Sequence, residues 1–186
     1  MGAERLIPRA AALVALVAVL AAGCRDDNSV PPTPEAGEPA TVEWVNDGDT
    51  LTLAGGAKVR LVQVDAPELT SDCYGRAALR ALLALTPKGT RVRLVADPAL
   101  DERDRHGRLL RYVYVGKLNV NVELVRRGAA SPYYFRNDRG GLANELDDAV
   151  DAARDRRAGY WGACPRAELN TGLGSVTGPA PPGTRG

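Results

Sequence analysis

The chain predicts an α+β domain, a five-stranded OB-type β-barrel with about three flanking helices. Three observations point there. Five short segments alternate apolar and polar residues at the period of a half-buried strand. Helical spacing of apolar residues appears after the third strand and again after the fifth. Aspartate and glycine cluster at the corners, where a meander has to turn.

From the N-terminus, residues 1–23 read as a signal peptide: Arg5 and Arg9 give a positive start, and the apolar run 10–20 follows. That run is shorter than the roughly 20 residues a bilayer span needs. Ala21, Ala22 and Gly23 then precede Cys24. The pattern resembles a bacterial lipobox, in which the cysteine is acylated and anchors the chain on the outer cell surface. Ordinary cleavage, with Cys24 a free thiol and the protein secreted, is the alternative. Residues 24–40 hold Pro31, Pro32, Pro34 and Pro39 and almost nothing apolar, so they read as a tether. The folded domain is expected over 41–164. A disordered tail rich in Gly, Pro and Thr is expected over 165–186.

Within the domain, residues 41–45 alternate as a strand, and 50–53 do so after the Asp47-Gly48 turn. Gly55-Gly56 turns the chain into a third strand, 58–64. Pro67 blocks its continuation, and Ser71 or Asp72 can cap a helix to about Leu85 with Ala78, Leu79, Leu82 and Leu83 on its apolar face. Residues 90–95 form a fourth strand and 111–115 a fifth, closed by a Gly116-Lys117 turn. A short helix over 121–127 stops at Gly128, and a longer one over 142–157 stops at Gly159. Trp44 and Trp161 read as structural.

The formal net charge is +1, and removing residues 1–23 takes away Arg5, Arg9 and Glu4, which leaves the remainder balanced. Bulk charge therefore cannot hold a polyanion, and any nucleic-acid contact has to come from a local cluster. With Cys24 assigned to the lipobox, Cys73 and Cys164 remain as a pair in an exported domain. A disulfide is the default there, with two free thiols as the alternative. One histidine and no other cysteine disfavour a soft metal site.

Three segments carry chemistry: Asn46-Asp47-Gly48-Asp49-Thr50, then Val64-Asp65-Ala66-Pro67-Glu68 after Arg60, then Asp104-Arg105-His106-Gly107-Arg108. Each has a plain structural account. Asp-Gly makes hairpin turns, carboxylates before a helix suit its dipole, Arg60 fits an outward strand position, and Arg108 fits a charged loop. In one order and with strands around each, they supply what a hard cation and a phosphate diester need at a shared site.

That order resembles the staphylococcal nuclease (thermonuclease) family over roughly residues 42–161. The segment 121–130, Asn121 through Ala130, resembles the family's helix after the fifth strand. The resemblance implies an OB barrel with three helices and calcium-dependent hydrolysis of DNA and RNA with little sequence preference, leaving a 3′-phosphate. It would make Asp49 and Asp65 side-chain ligands of Ca²⁺, Ala66 a ligand through its backbone carbonyl, and Asp47 an outer-shell group. Glu68 would orient or deprotonate the attacking water, and Arg60 and Arg108 would grip the phosphate. Carboxylate and carbonyl oxygens suit calcium, and a guanidinium fork suits two phosphate oxygens.

The chain departs from the family in places. Ala66 stands where Thr is common, and Arg105-His106 where a Lys-Tyr pair is common. Arg105 can still meet a phosphate, while His106 reads as a surface residue near substrate. The short segment 69–74, with Cys73, predicts a tight loop beside Glu68. Tyr133 and Tyr134 either stack a base beside the cleft or pack the core. The expected protein is a monomer that touches the membrane only through its anchor. Two other functions compete: a non-catalytic OB-fold lipoprotein that binds nucleic acid, and a structural lipoprotein of the envelope.

Overall fold

The computed structural model describes residues 1, 35 and 37–180. The apolar leader, Cys24 and most of the tether lie outside the described residues.

Five strands close into a barrel. The meander consists of β1 (Glu38–Val45), β2 (Thr50–Leu53) and β3 (Lys58–Leu61), followed by a two-residue β4 (Val64–Asp65). Helix α1 (Gly75–Leu85) leads to β5 (Arg91–Val95) and β6 (Leu109–Val115). Strand order is β3-β2-β1-β5-β6 with antiparallel neighbours, and a parallel pairing of β3 with β6 closes the ring. β1 serves both sides: residues 38–41 pair with β5, and the rest pair with β2 after a register shift between Val42 and Trp44. Such a bulge supplies the coiling that closure requires.

Helices cover the barrel. A turn through β7 (Leu118–Asn119) enters α2 (Val120–Arg126), where the Asn119 side chain accepts the Val122 N–H as an N-cap. Beyond β8 (Ser131–Pro132) come α3 (Ala143–Asp155) and a single turn, α4 (Tyr160–Ala163). Val42, Leu51, Val59, Leu61 and Val113 share one core with Ala78 and Leu82 of α1, Leu124 of α2 and Leu146 of α3. Each large apolar side chain taken fully from water contributes about 1.5–3 kcal/mol.

Four expectations are corrected. The third strand breaks after Leu61 because Gln63 turns into the left-handed region (φ 58°), which separates β4 and re-aims Asp65. Helix α1 begins at Gly75, not at Ser71 or Asp72. Asp72 instead accepts the Glu68 N–H, so these residues cap the Glu68 loop. Trp44 is 64% exposed and contributes nothing to the core. The segment read as a disordered tail folds in part: β9 (Glu168–Asn170) and β10 (Gly174–Val176) form an antiparallel hairpin. Ordered structure thus runs beyond residue 164, and at the other end β1 takes in residues 38–40 of the tether.

The expected disulfide is present. Cys73 and Cys164 are bonded, with Cα atoms 6.0 Å apart and 91 positions between them in sequence. Closing a loop of that length in the unfolded chain is worth about 4.6 kcal/mol on the chain-entropy account.

Candidate active site

The acidic corner is assembled by backbone first. The Asp47 carboxylate accepts the Asp49 N–H, which makes the turn rigid. Gly48 is buried against Ala66 and Ala78, and an added Cβ would lie 2.5 Å from the Ala66 methyl. Glycine there lets the Asp47–Asp49 turn rest directly on the Asp65–Ala66 segment. The Ala66 N–H completes the junction by donating to Asp49 Oδ2 at 3.0 Å. On the other side, the Leu61 N–H donates to the Asp49 carbonyl, and Thr50 pairs with Arg60 across β2 and β3.

Arg60 is seated between the acids. Its Nη2 lies 2.7 Å from Asp65 Oδ1 and 3.4 Å from Asp49 Oδ2, while Nη1 donates to the carbonyls of Leu61 and Val64. Burial alone would lower its pKa, but the charges of Asp49 and Asp65 hold it above the ordinary arginine value. Arg108 reaches the same corner through Thr50: its Nη1 donates to Thr50 Oγ1 (3.3 Å), and that hydroxyl donates to Asp49 Oδ1 (3.0 Å). Asp104 aims Arg108 by accepting its Nε at 2.6 Å. Burial would raise the Asp104 carboxyl, but hydrogen bonds from Arg108 and His106 keep it below the usual range.

The carboxylates feel one another. Burial, followed by the charge of Asp49, pushes Asp47 up. Burial and then Asp49 do the same to Asp65, against the pull of Arg60. Glu68 is exposed yet raised, by desolvation first and then by the charges of Asp49 and Asp65. Asp47, Asp49, Asp65 and Glu68 therefore form one electrostatic unit. Among the described residues, no three His, Cys, Asp or Glu side chains close into a metal cage. A cation here would rest on Asp49 and Asp65 with carbonyl and water oxygens completing its shell. Those are hard donors with no thiolate or imidazole among them, which suits calcium.

The outer positions divide. Arg105 and His106 are exposed on the 104–108 loop, and Arg105 Nε donates to His106 Nε2. Tyr133 is brought in by the Gln63 carbonyl, which accepts its N–H, and the Arg60 guanidinium carbon lies 5.7 Å from its ring centre. Tyr134 corrects the expectation of a substrate contact. It is only 4% exposed, and its hydroxyl bonds the Ala143 carbonyl and Asp147, so no base can stack on it. Three contributors escaped the sequence reading: Thr50 as the link to Arg108, Asp104 as its aim, and Ser175, whose N–H and Oγ–H both meet Asp65 Oδ2 at 3.0 Å. Asp104 carried a local signal in its Asp-x-x-Gly turn; Ser175 carried none.

Residues 58–163, more than half the chain, match the family described as Staphylococcal nuclease homologue. The chain is 32% identical over 137 residues to a thermonuclease of Staphylococcus intermedius, which covers 67% of this chain and 77% of that one. It is 30% identical over 173 residues to endonuclease YhcR of Bacillus subtilis, covering 84% of this chain and 13% of that protein. An uncharacterized endonuclease of Haemophilus influenzae is 36% identical over 125 residues, 65% of this chain and 61% of its own length. The chain thus spans less than two thirds of the latter two relatives. The matched stretch holds β3 through α4, and with them Arg60, Asp65, Glu68 and Arg108; on this match the chain belongs to the staphylococcal nuclease family.

Proposed function

We propose that this protein is a calcium-dependent nuclease that hydrolyses phosphodiester bonds of DNA and RNA with little sequence preference. One observation carries the reading: a single buried guanidinium, Arg60, bridges Asp49 and Asp65 while Glu68 feels both charges. A structural ion pair needs one carboxylate, and a second beside it costs repulsion unless a cation is meant to join them.

The roles follow from charge and reach. Asp49, Asp65 and the Ala66 carbonyl would hold the calcium ion, with Asp47 behind Asp49. Bound there, the ion would polarise a phosphoryl oxygen and acidify a water. Glu68, exposed and raised in pKa, is suited to accept that water's proton as its oxygen bonds to phosphorus. The scissile P–O bond then breaks and the leaving oxygen takes up a proton from solvent. Arg60 and Arg108 would meet the oxygens on which negative charge grows, and so would stabilise the transition state more than the ground state. Arg105, His106 and the Tyr133 ring would line the path of the polymer.

The disulfide supports action in an oxidising compartment. We further propose export under the leader, with Cys24 acylated at the outer surface or the protein secreted without acylation. Incubating the purified chain with single- and double-stranded DNA and RNA, with calcium or with a chelator, tests the activity. Cleavage that a chelator stops, and that Glu68→Gln and Arg108→Ala each slow by about 100-fold or more, is the expected result. Binding without cleavage would favour the non-catalytic OB module.

A further inference from the structure

The C-terminal hairpin reaches back to the acidic corner. Ser175 donates both its N–H and its hydroxyl to Asp65 Oδ2, across 110 positions of sequence, and leaves Oδ1 to face Arg60. Gly174, at φ 86°, lies so close against the Asp65 carboxylate that an added Cβ would clash with it. Thr171 accepts the Tyr134 N–H, which ties the hairpin to the segment that carries Tyr133.

The far end of the hairpin is tied to the Glu68 loop. Gly178 accepts the Cys73 N–H, the Ala180 N–H donates to Ser71, and Asp72 bridges to Pro179. Asp72 in turn accepts the Glu68 N–H. The disulfide joins Cys73 to Cys164, just before the hairpin begins. Asp65 and the Glu68 loop therefore both rest on residues 168–180.

We propose that this C-terminal strap is a positioning element, and that Ser175 is the positioning residue for Asp65. A free carboxylate swings about χ1 and χ2 and accepts at either oxygen. Two donors on Oδ2 hold one rotamer and present Oδ1 to the corner, so the ordering entropy is met before any ion arrives. The inference rests on the proposed calcium site, because it assigns Asp65 as a ligand.

The test compares wild type, Ser175→Ala and Ser175→Thr in the full chain, with Leu173→Ala at the exposed hairpin tip as a control. Calcium affinity is read by titration calorimetry, and the Asp65 χ1 rotamer by NMR couplings in metal-free protein. Ser175→Ala is expected to weaken calcium about 10-fold or more, in the range for partners that orient metal ligands, and to average the rotamer. Thr, which keeps the hydroxyl, restores both, and Leu173→Ala changes neither. Unchanged or tighter calcium binding by Ser175→Ala, or equal losses in Ala and Thr, overturns the proposal. Should wild type take up no calcium, the metal assignment falls and the metal-free rotamer alone judges the strap.

Discussion

Two buried aspartates of this barrel, Asp97 and Asp49, sit in surroundings that differ in kind. Asp97 accepts the N–H groups of Ala99 and Gly141, and the Tyr112 hydroxyl lies between its Oδ2 (3.2 Å) and Gln63 Oε1 (2.8 Å). Every partner there is a neutral donor, and burial pushes the Tyr112 phenol far up, so it stays protonated and donating. The Asp49 cluster has donors too, but it also crowds Asp47, Asp65 and Glu68 together, and each of those three is raised. A satisfied carboxylate holds a fold together. Crowded carboxylates repel one another unless a cation joins them, which is what the proposed calcium site would exploit.

Substitutions can break that comparison. The largest effect is expected at Arg60 and Glu68. Arg60→Ala should cut turnover on the order of 10²–10³, by analogy with removal of a donor to a developing oxyanion, and Glu68→Gln on the order of 10²–10⁴, as for loss of a general base. Single-turnover cleavage at saturating calcium measures it, and an intact rate would dismantle the site assignment.

Tyr112→Phe should do the reverse. It leaves Gln63 and Asp97 short of a buried donor and should cost about 1–3 kcal/mol of stability, read as a lowered denaturant midpoint. Cleavage by the folded variant should stay near the wild-type rate, because the Asp49 corner is untouched. A large loss of rate with little loss of stability would mean that the two clusters are not separate in function.

A smaller effect of opposite sign is expected at Asp47. Its folded pKa is raised above the 3.8 of an unperturbed aspartate. The folded state therefore binds more protons than the unfolded one, and ionisation penalises the fold as pH climbs from about 4 through the raised value. Asp47→Asn keeps an acceptor for the Asp49 N–H and removes the charge. In metal-free protein it should gain roughly 0.5–1 kcal/mol near neutral pH, after allowance for solvent screening of a partly exposed group. The gain should vanish near pH 3. Urea melts at the two pH values, in chelator, decide this.

Asp104 and Glu123 run the other way. Arginine partners hold both below their ordinary values, so their contribution is present above about pH 4 and disappears as pH falls through the folded pKa. The smallest change should come from Glu123→Gln, whose partners Arg126 and Arg127 are largely exposed. A loss of about 0.3–1 kcal/mol at neutral pH, and none in acid, is the expected melt.

Much of the site was legible because its signals are local. Asp47-Gly48-Asp49 announces a turn, Asp65 to Glu68 ends a strand at Pro67, and each keeps its chemistry wherever the barrel closes. The rest depended on which surfaces closure leaves outside. Neighbouring tyrosines at 133 and 134 point opposite ways, one beside Arg60 and the other into the core, and residue identity could not say which. Trp44 is apolar enough for a core, yet it follows the bulge in β1 and faces solvent. The hairpin at 168–176 has little apolar content and owes its place to hydrogen bonds and a disulfide root, which composition does not register.

What the amino-acid order determined alone is the five strands of the barrel, most of the turns that join them, and the inventory of acids and arginines, because these rest on interactions within a few residues. Only tertiary structure decided that Arg60 lies between two aspartates, that Arg108 arrives through Thr50, and that Ser175 grips Asp65. Those contacts span 5 to 110 positions. They exist because the barrel's closure brings strand ends to one corner, where desolvation makes each charge matter to its neighbours.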